Sequence, residues 1–141
     1  MPVAYIIDDS RATGHALAQW LALLGYEPRV MLGPRPAIEA LAQLVPDLIF
    51  LDIHMQGMDG VEVCRYIRRD PRLAAVPVIA MSAESQPALV ERVRLAGANG
   101  FLAKPLDYDA FEATVRAAEK FYAARPPARS FSRGFAPRPI A

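Results

Sequence analysis

Four short apolar runs in this sequence each end on a polar, reactive side chain. Val3-Ala4-Tyr5-Ile6-Ile7 is followed by Asp8 and Asp9, and Leu48-Ile49-Phe50-Leu51 by Asp52. The run ending at Met81 is followed by Ser82, and Gly100-Phe101-Leu102-Ala103 by Lys104. Three carboxylates brought together repel one another, so either one keeps a proton or a cation joins them. A hard divalent ion suits an all-oxygen donor set. Mg²⁺ keeps several of its waters and takes a few carboxylates together with a phosphate. No histidine pair or thiolate accompanies these positions to favour zinc. Lys104 would add a positive charge and Ser82 a hydroxyl. A carboxylate nucleophile, a divalent cation, a lysine and a hydroxyl form a set equipped for phosphoryl transfer, where stabilising the charge of the transferred group is the main task.

These residues can meet only if the chain folds so that the ends of several strands converge. Apolar, β-rich runs alternate with helical patterns, which is the signature of a parallel α/β sheet. Strands are predicted over residues 3–7, 26–31, 48–51, 76–81 and 100–103, and helices over 12–24, 36–44, 61–69, 86–96 and 108–123. In the first helix Ala16, Leu17, Trp20, Leu21 and Leu24 recur at spacings of three and four and make its core face. Ser10 is its expected N-cap, and Gly25 and Gly97 are expected to stop the first and fourth helices. The third strand is unbroken apolar sequence, as a strand buried on both faces requires. Pro28 puts the second strand at a sheet edge. The strand order is then 2-1-3-4-5, a doubly wound five-stranded sheet of flavodoxin-like (βα)₅ type. Ligands of such sheets bind beyond the carboxyl ends of the strands where the order reverses, here between the first and third strands. Asp8, Asp9 and Asp52 would meet there.

The ordered pieces Asp8-Asp9-Ser10, Leu51-Asp52-Ile53-His54-Met55, Met58-Asp59-Gly60, Met81-Ser82-Ala83 and Ala96 through Pro105 resemble a response-regulator receiver domain of two-component signal transduction, of the single-domain, chemotaxis-regulator-like type. The resemblance covers residues 1 to about 123. It implies that a histidine kinase or phosphotransfer protein phosphorylates Asp52. It also implies that Asp8, Asp9, Asp52 and the backbone carbonyl of His54 hold Mg²⁺, and that Lys104 pairs with the phosphoryl group and precedes a cis proline. Ser82 would move to bond a phosphoryl oxygen and Phe101 would swing into the vacated space. An unidentified downstream protein would read the face made by the fourth helix, fifth strand and fifth helix. The same resemblance leaves open a homodimer through those helices. Gln56-Gly57 stands where the family commonly has Met-Pro, and Ser82 and Phe101 replace the commoner threonine and tyrosine. His54 and Glu84 sit at positions that tune phosphoryl lifetime in the family.

Composition narrows the alternatives. Of 141 residues, 22% are charged and the net charge is +1, so bulk charge points to no polyanion or membrane surface. The single cysteine, Cys64, permits no internal disulfide, which is read as a reducing compartment, the cytoplasm. No apolar run approaches the length that spans a bilayer. From Ala124 the character changes to a Pro/Arg-rich tail, residues 124–141, without an acidic residue and expected to be disordered. No base-reading motif is present, so nucleic acid is not an expected partner. There is no Gly-rich stretch ending in Gly-Lys-Ser/Thr, which excludes a P-loop nucleotide-binding protein. Ser10 two residues after Asp8 excludes a haloacid-dehalogenase-type phosphatase. The remaining competitor is a pseudo-receiver, an interaction module that is never phosphorylated. Either way no turnover activity is expected beyond self-phosphorylation and self-dephosphorylation.

Overall fold

The computed structural model describes the backbone of residues 1–123 and the side chains of residues 1–120; the predicted tail, 124–141, lies outside the described residues. The chain runs β1 (Val3–Ile7), α1 (Arg11–Leu23), β2 (Glu27–Met31), α2 (Pro34–Gln43), β3 (Leu48–Asp52), α3 (Gly60–Arg69), a 3₁₀ turn (Pro71–Leu73), β4 (Val78–Ser82), α4 (Pro87–Leu95), β5 (Gly100–Ala103) and α5 (Tyr108–Ala123). The five strands are parallel in the order β2-β1-β3-β4-β5, as the position of Pro28 predicts.

Side chains of a strand alternate between faces, and here the alternation feeds two apolar layers. Tyr5, Ile7, Ile49, Leu51, Val78 and Ala80 point to the layer covered by α2, α3 and α4. Ala4, Ile6, Leu48, Phe50, Ile79 and Met81 point to the layer covered by α1 and α5. Burial on both faces explains why β3 and β4 carry no polar residue before their last position. Trp20 is at the rim of its layer rather than in the core: it is half-buried, with its ring edge-on to Tyr108 at 5.3 Å and tilted on Phe111 at 5.2 Å.

Most helix ends follow from local chemistry. Ser10 caps α1 by accepting from the Thr13 amide, and Gly25 follows its last turn with φ +92°. Helix α2 begins at Pro34, two residues before the predicted start, because Gly33 adopts φ +114° and a proline is well suited to the first helical turn. Strand β4 begins two residues later than predicted. Val76 is still bonded to Leu73 in the 3₁₀ turn, and Pro77 has no amide to give a ladder. The Lys104–Pro105 peptide is cis.

Register is what brings the polar residues together. Ile7 pairs with Leu51, so Asp8 and Asp52 leave the sheet side by side. Asp52 pairs with Met81, and Ser82 with Ala103, which sets Ser82 and Lys104 at the same end of the sheet.

Candidate functional site

Asp8 is fully buried and Asp52 is 4% exposed, whereas Asp9 is at the surface. One carboxylate oxygen from each of the three lies within 4.8 Å of the others. Each acid is held from a different direction. Asp8 accepts from the Ser10 amide at 2.9 Å and from Lys104 Nζ at 2.9 Å. Asp9 accepts from the Gln56 amide at 3.1 Å, which ties it to the β3–α3 loop. Asp52 accepts from the His54 amide at 3.3 Å. Lys104 stands 3.5 Å from Asp52, so in this state it rests on Asp8 and only leans toward Asp52.

Three acids with one ammonium leave a net negative site. Burial first, and then the charge of Asp8, push the Asp52 carboxyl up to about 6; Lys104 and the His54 amide pull the other way. An added divalent cation would oppose both upward pushes. The donors are all oxygen, two of the three are buried, and their charge is unbalanced. These residues therefore fit a hard divalent ion such as Mg²⁺.

Ser82 and His54 lie beside this group, whereas Phe101 sits further along β5, paired with Ala80. Ser82 is fully buried and its Oγ accepts from the Glu84 amide at 2.9 Å, so the hydroxyl oxygen is engaged with its own loop. Phe101 is half-buried. It lies between a cavity of about 510 Å³ shared with Ala113 and Ala117 of α5 and one of about 210 Å³ shared with Val90 of α4. His54 Nε2 lies 3.0 Å from Glu84 Oε1, with the two side chains 50% and 59% exposed. That contact joins the loops that follow β3 and β4, beside Asp52. Cys64 is buried, and burial pushes its thiol up, away from thiolate chemistry.

Gly60, the first residue of α3, is required by the same geometry. A Cβ there would lie 2.5 Å from the Asp52 carbonyl oxygen and 2.5 Å from Ile53 Cα. Both are backbone atoms with no rotamer to yield. Gly60→Ala is expected to cost about 1–3 kcal/mol, the range of core overpacking. A lower urea midpoint at unchanged slope would show it, and an unchanged midpoint would contradict it.

A five-stranded 2-1-3-4-5 sheet with an acidic group at its reversal point and a lysine after the last strand defines a doubly wound, flavodoxin-like α/β protein with an acidic switch-point site. The chain belongs to the response regulator receiver domain family, whose sequence profile matches residues 4–116. It is 34% identical over 119 residues to the DNA-binding dual master transcriptional regulator RpaA of Synechocystis sp., covering 83% of this chain and 48% of that protein. It is 32% identical to the response regulator PleD of Caulobacter vibrioides over 82% of this chain and 26% of that protein. The chain thus spans half or less of the length of these curated relatives. Among solved structures, the signal receiver domain of a DNA binding response regulator (merR) from Colwellia psychrerythraea superposes with a TM-score of 0.79 at 30% identity, covering 85% of this chain and 99% of that one. The chemotaxis protein CheY4 of Vibrio cholerae, at 24% identity, shares the fold with a TM-score of 0.79 over 84% of this chain and 98% of that one. Among the described residues no helix is long and apolar enough to cross a membrane.

Proposed function

We propose that this receiver accepts a phosphoryl group on Asp52 from a phosphohistidine of a histidine kinase or phosphotransfer protein, and that the modification alters the surface formed by α4, β5 and α5. The observation that carries this reading is the buried Asp52 carboxylate between a second buried acid and a lysine. Asp8, Asp9, Asp52 and the carbonyl of His54 would hold Mg²⁺. When bound, the ion supplies positive charge that lowers repulsion between the acids and the incoming phosphoryl group.

In the transfer itself, an Asp52 oxygen attacks phosphorus as the P–N bond breaks, and the electron pair of that bond leaves with the imidazole. Lys104 moves its charge from Asp8 toward the phosphoryl oxygens. Ser82 exchanges its contact with the Glu84 amide for donation to a phosphoryl oxygen, and Phe101 fills the space made available. Phosphorylation adds about −1.5 to −2 charge and three acceptor oxygens. Two new charge-assisted contacts at about 1.5–3 kcal/mol each would supply much of the roughly 5.5 kcal/mol that inverts a 1:99 equilibrium.

RpaA and the merR protein are named as DNA-binding regulators. That property is theirs, and we assign this domain protein partners: a phosphodonor and a downstream reader.

The test is incubation with acetyl phosphate or phosphoramidate, with and without Mg²⁺, read by intact mass. A Mg²⁺-dependent gain of one phosphoryl group, absent from Asp52→Asn, is expected. No gain from any donor would favour the pseudo-receiver.

The His54–Glu84 contact bears on how long the acyl phosphate lasts. A contact beside Asp52 would narrow the approach of water to an acyl phosphate there, so Glu84→Ala is expected to shorten the phosphorylated half-life. A pair this exposed is worth up to about 1 kcal/mol, which limits the acceleration to about fivefold. A half-life unchanged or lengthened in a pulse-chase of the phosphorylated chain would contradict it.

A further inference from the structure

Helix α4 is held very unequally at its two ends. At its C-terminal end, two side chains one turn apart on α3 take the carbonyls of the two residues that close it. Cys64 Sγ donates to the Ala96 carbonyl at 3.4 Å, and Arg68 Nε donates to the Gly97 carbonyl at 2.9 Å. The same guanidinium donates to the Val76 carbonyl at 2.8 Å and to Asn99 Oδ1 at 2.7 Å. Asn99 is itself fixed to β4, accepting from the Val78 amide at 2.8 Å and donating its own amide to the Val78 carbonyl at 2.8 Å. Gly97 adopts φ +116°, and the stem of Arg68 occupies the place where a Cβ would stand. The planar fork of arginine satisfies several acceptors in fixed directions at once, which a lysine ammonium cannot do.

The N-terminal end has no such fastening. Gln86 makes no side-chain capping bond, and residues 83–88 are all exposed. The buried footholds of the helix, Val93 and Ala96, lie toward its C-terminal end, while Leu89 is only partly buried. The ion pair that ties the loop before α4 to the β3–α3 loop, His54–Glu84 at 3.0 Å, is exposed, and so is Arg92–Asp59 at 3.8 Å, made from the last turn of the helix. Exposed pairs of this kind contribute little.

We propose that Arg68 is the pivot of α4, a positioning residue that fixes the C-terminal turn and lets the N-terminal half swing. A displacement begun at Ser82 and Glu84 then reaches Pro87 to Val90 and stops before the Gly97 turn. The cavity between Val90 and Phe101 is the space such a swing reshapes. The trigger rests on phosphoryl acceptance at Asp52, but the pivot itself does not.

Hydrogen exchange read by mass spectrometry on the full chain tests the two separately. In the unmodified protein, amides of residues 93–97 are expected to exchange about tenfold or more slowly than those of residues 89–91, the difference between a pinned and a loosely held segment. Arg68→Met is expected to remove most of that difference, and Arg68→Lys to give an intermediate one. Urea unfolding of each variant distinguishes a local release from a global loss of fold; if Arg68→Met is unfolded, Arg68→Lys carries the comparison. An absent or reversed gradient in the wild type, or a gradient that survives in the variants, overturns the pivot.

Beryllium trifluoride with Mg²⁺ then supplies a phosphoryl mimic. The expected response is confined to residues 84–91 in the wild type and spreads into 93–97 in the folded Arg68 variant. A uniform response along all of α4 in the wild type overturns the pivot. No response anywhere, together with the gradient and its loss in the variants, supports the pivot and counts against the acceptor role of Asp52.

Discussion

Lys104→Met is expected to slow phosphoryl acceptance from a small donor by about 10²–10³-fold, the usual loss when one preorganised group facing developing charge is removed. Lys104 is the only cation within ion-pair reach of both Asp8 and Asp52 among the described residues. It is mostly shielded from water, its side chain 20% exposed, so its charge is weakly screened. Its loss acts twice. The transferred group loses a partner, and Asp52 loses an influence that holds its carboxyl down, so more of it is protonated near neutral pH. A protonated carboxyl is a poor nucleophile. The pH–rate profile of the variant should therefore shift to higher pH as well as fall. Rates are compared at saturating Mg²⁺ by intact mass against time. A variant within about threefold of wild type would show that Lys104 is not part of the transfer chemistry.

The second large effect is on stability. In buffer stripped of divalent ions, the contribution of Asp52 to stability is expected to fall as pH rises from about 4 to about 7. Asp52 has its carboxyl raised from the ordinary 3.8 to about 6 in the folded chain. Below the lower value both folded and unfolded chains hold the proton, and pH has no effect through this group. Between the two values the folded chain holds a proton that the unfolded chain has released, so raising the pH favours unfolding. Above the upper value both have released it and the destabilisation is complete. Each unit of the shift corresponds to about 1.4 kcal/mol. Asp52→Asn removes the titrating group, so the wild type minus variant difference in urea unfolding isolates it from the other acids. Added Mg²⁺ should restore more stability at pH 7.5 than at pH 5. Parallel curves for the two chains would rule out a raised carboxyl at this position.

Much of this architecture was legible in the residues. The apolar run Leu48 to Leu51 declared a strand covered on both faces, and Pro28 placed β2 at an edge. From those two facts the strand order follows, and from the order follows the meeting of Asp8, Asp9 and Asp52. Capping by Ser10 and the turn at Gly97 were equally local and equally readable. What could not be read depends on contacts between distant segments. Nothing near Lys104 in sequence says that it rests on Asp8, 96 positions away. Nothing in the α3 pattern marks Arg68 as the residue that gathers carbonyls from both the α3–β4 and the α4–β5 connections. Its spacing fits an ordinary solvated face. Trp20 shared the periodicity of the buried leucines, but its size and polar edge leave it at the rim, against Tyr108 and Phe111. The 3₁₀ turn at Pro71–Leu73 is too short to carry a period of its own.

The two apolar layers have a consequence for communication. The sheet between them is a partition: α4 leans on one side, while α1 and α5 lean on the other. A partner gripping the α1 side would be insulated from a swing of α4, because no side chain passes through the strands to carry it. News from the acidic group reaches that side at the carboxyl ends of the strands, where Asp8 holds the amide of Ser10, the cap of α1, and round the margin where β5 has no further strand beside it. Phe101 stands at that margin. Two partners on opposite sides could therefore occupy the molecule together and address one acidic group without competing for surface.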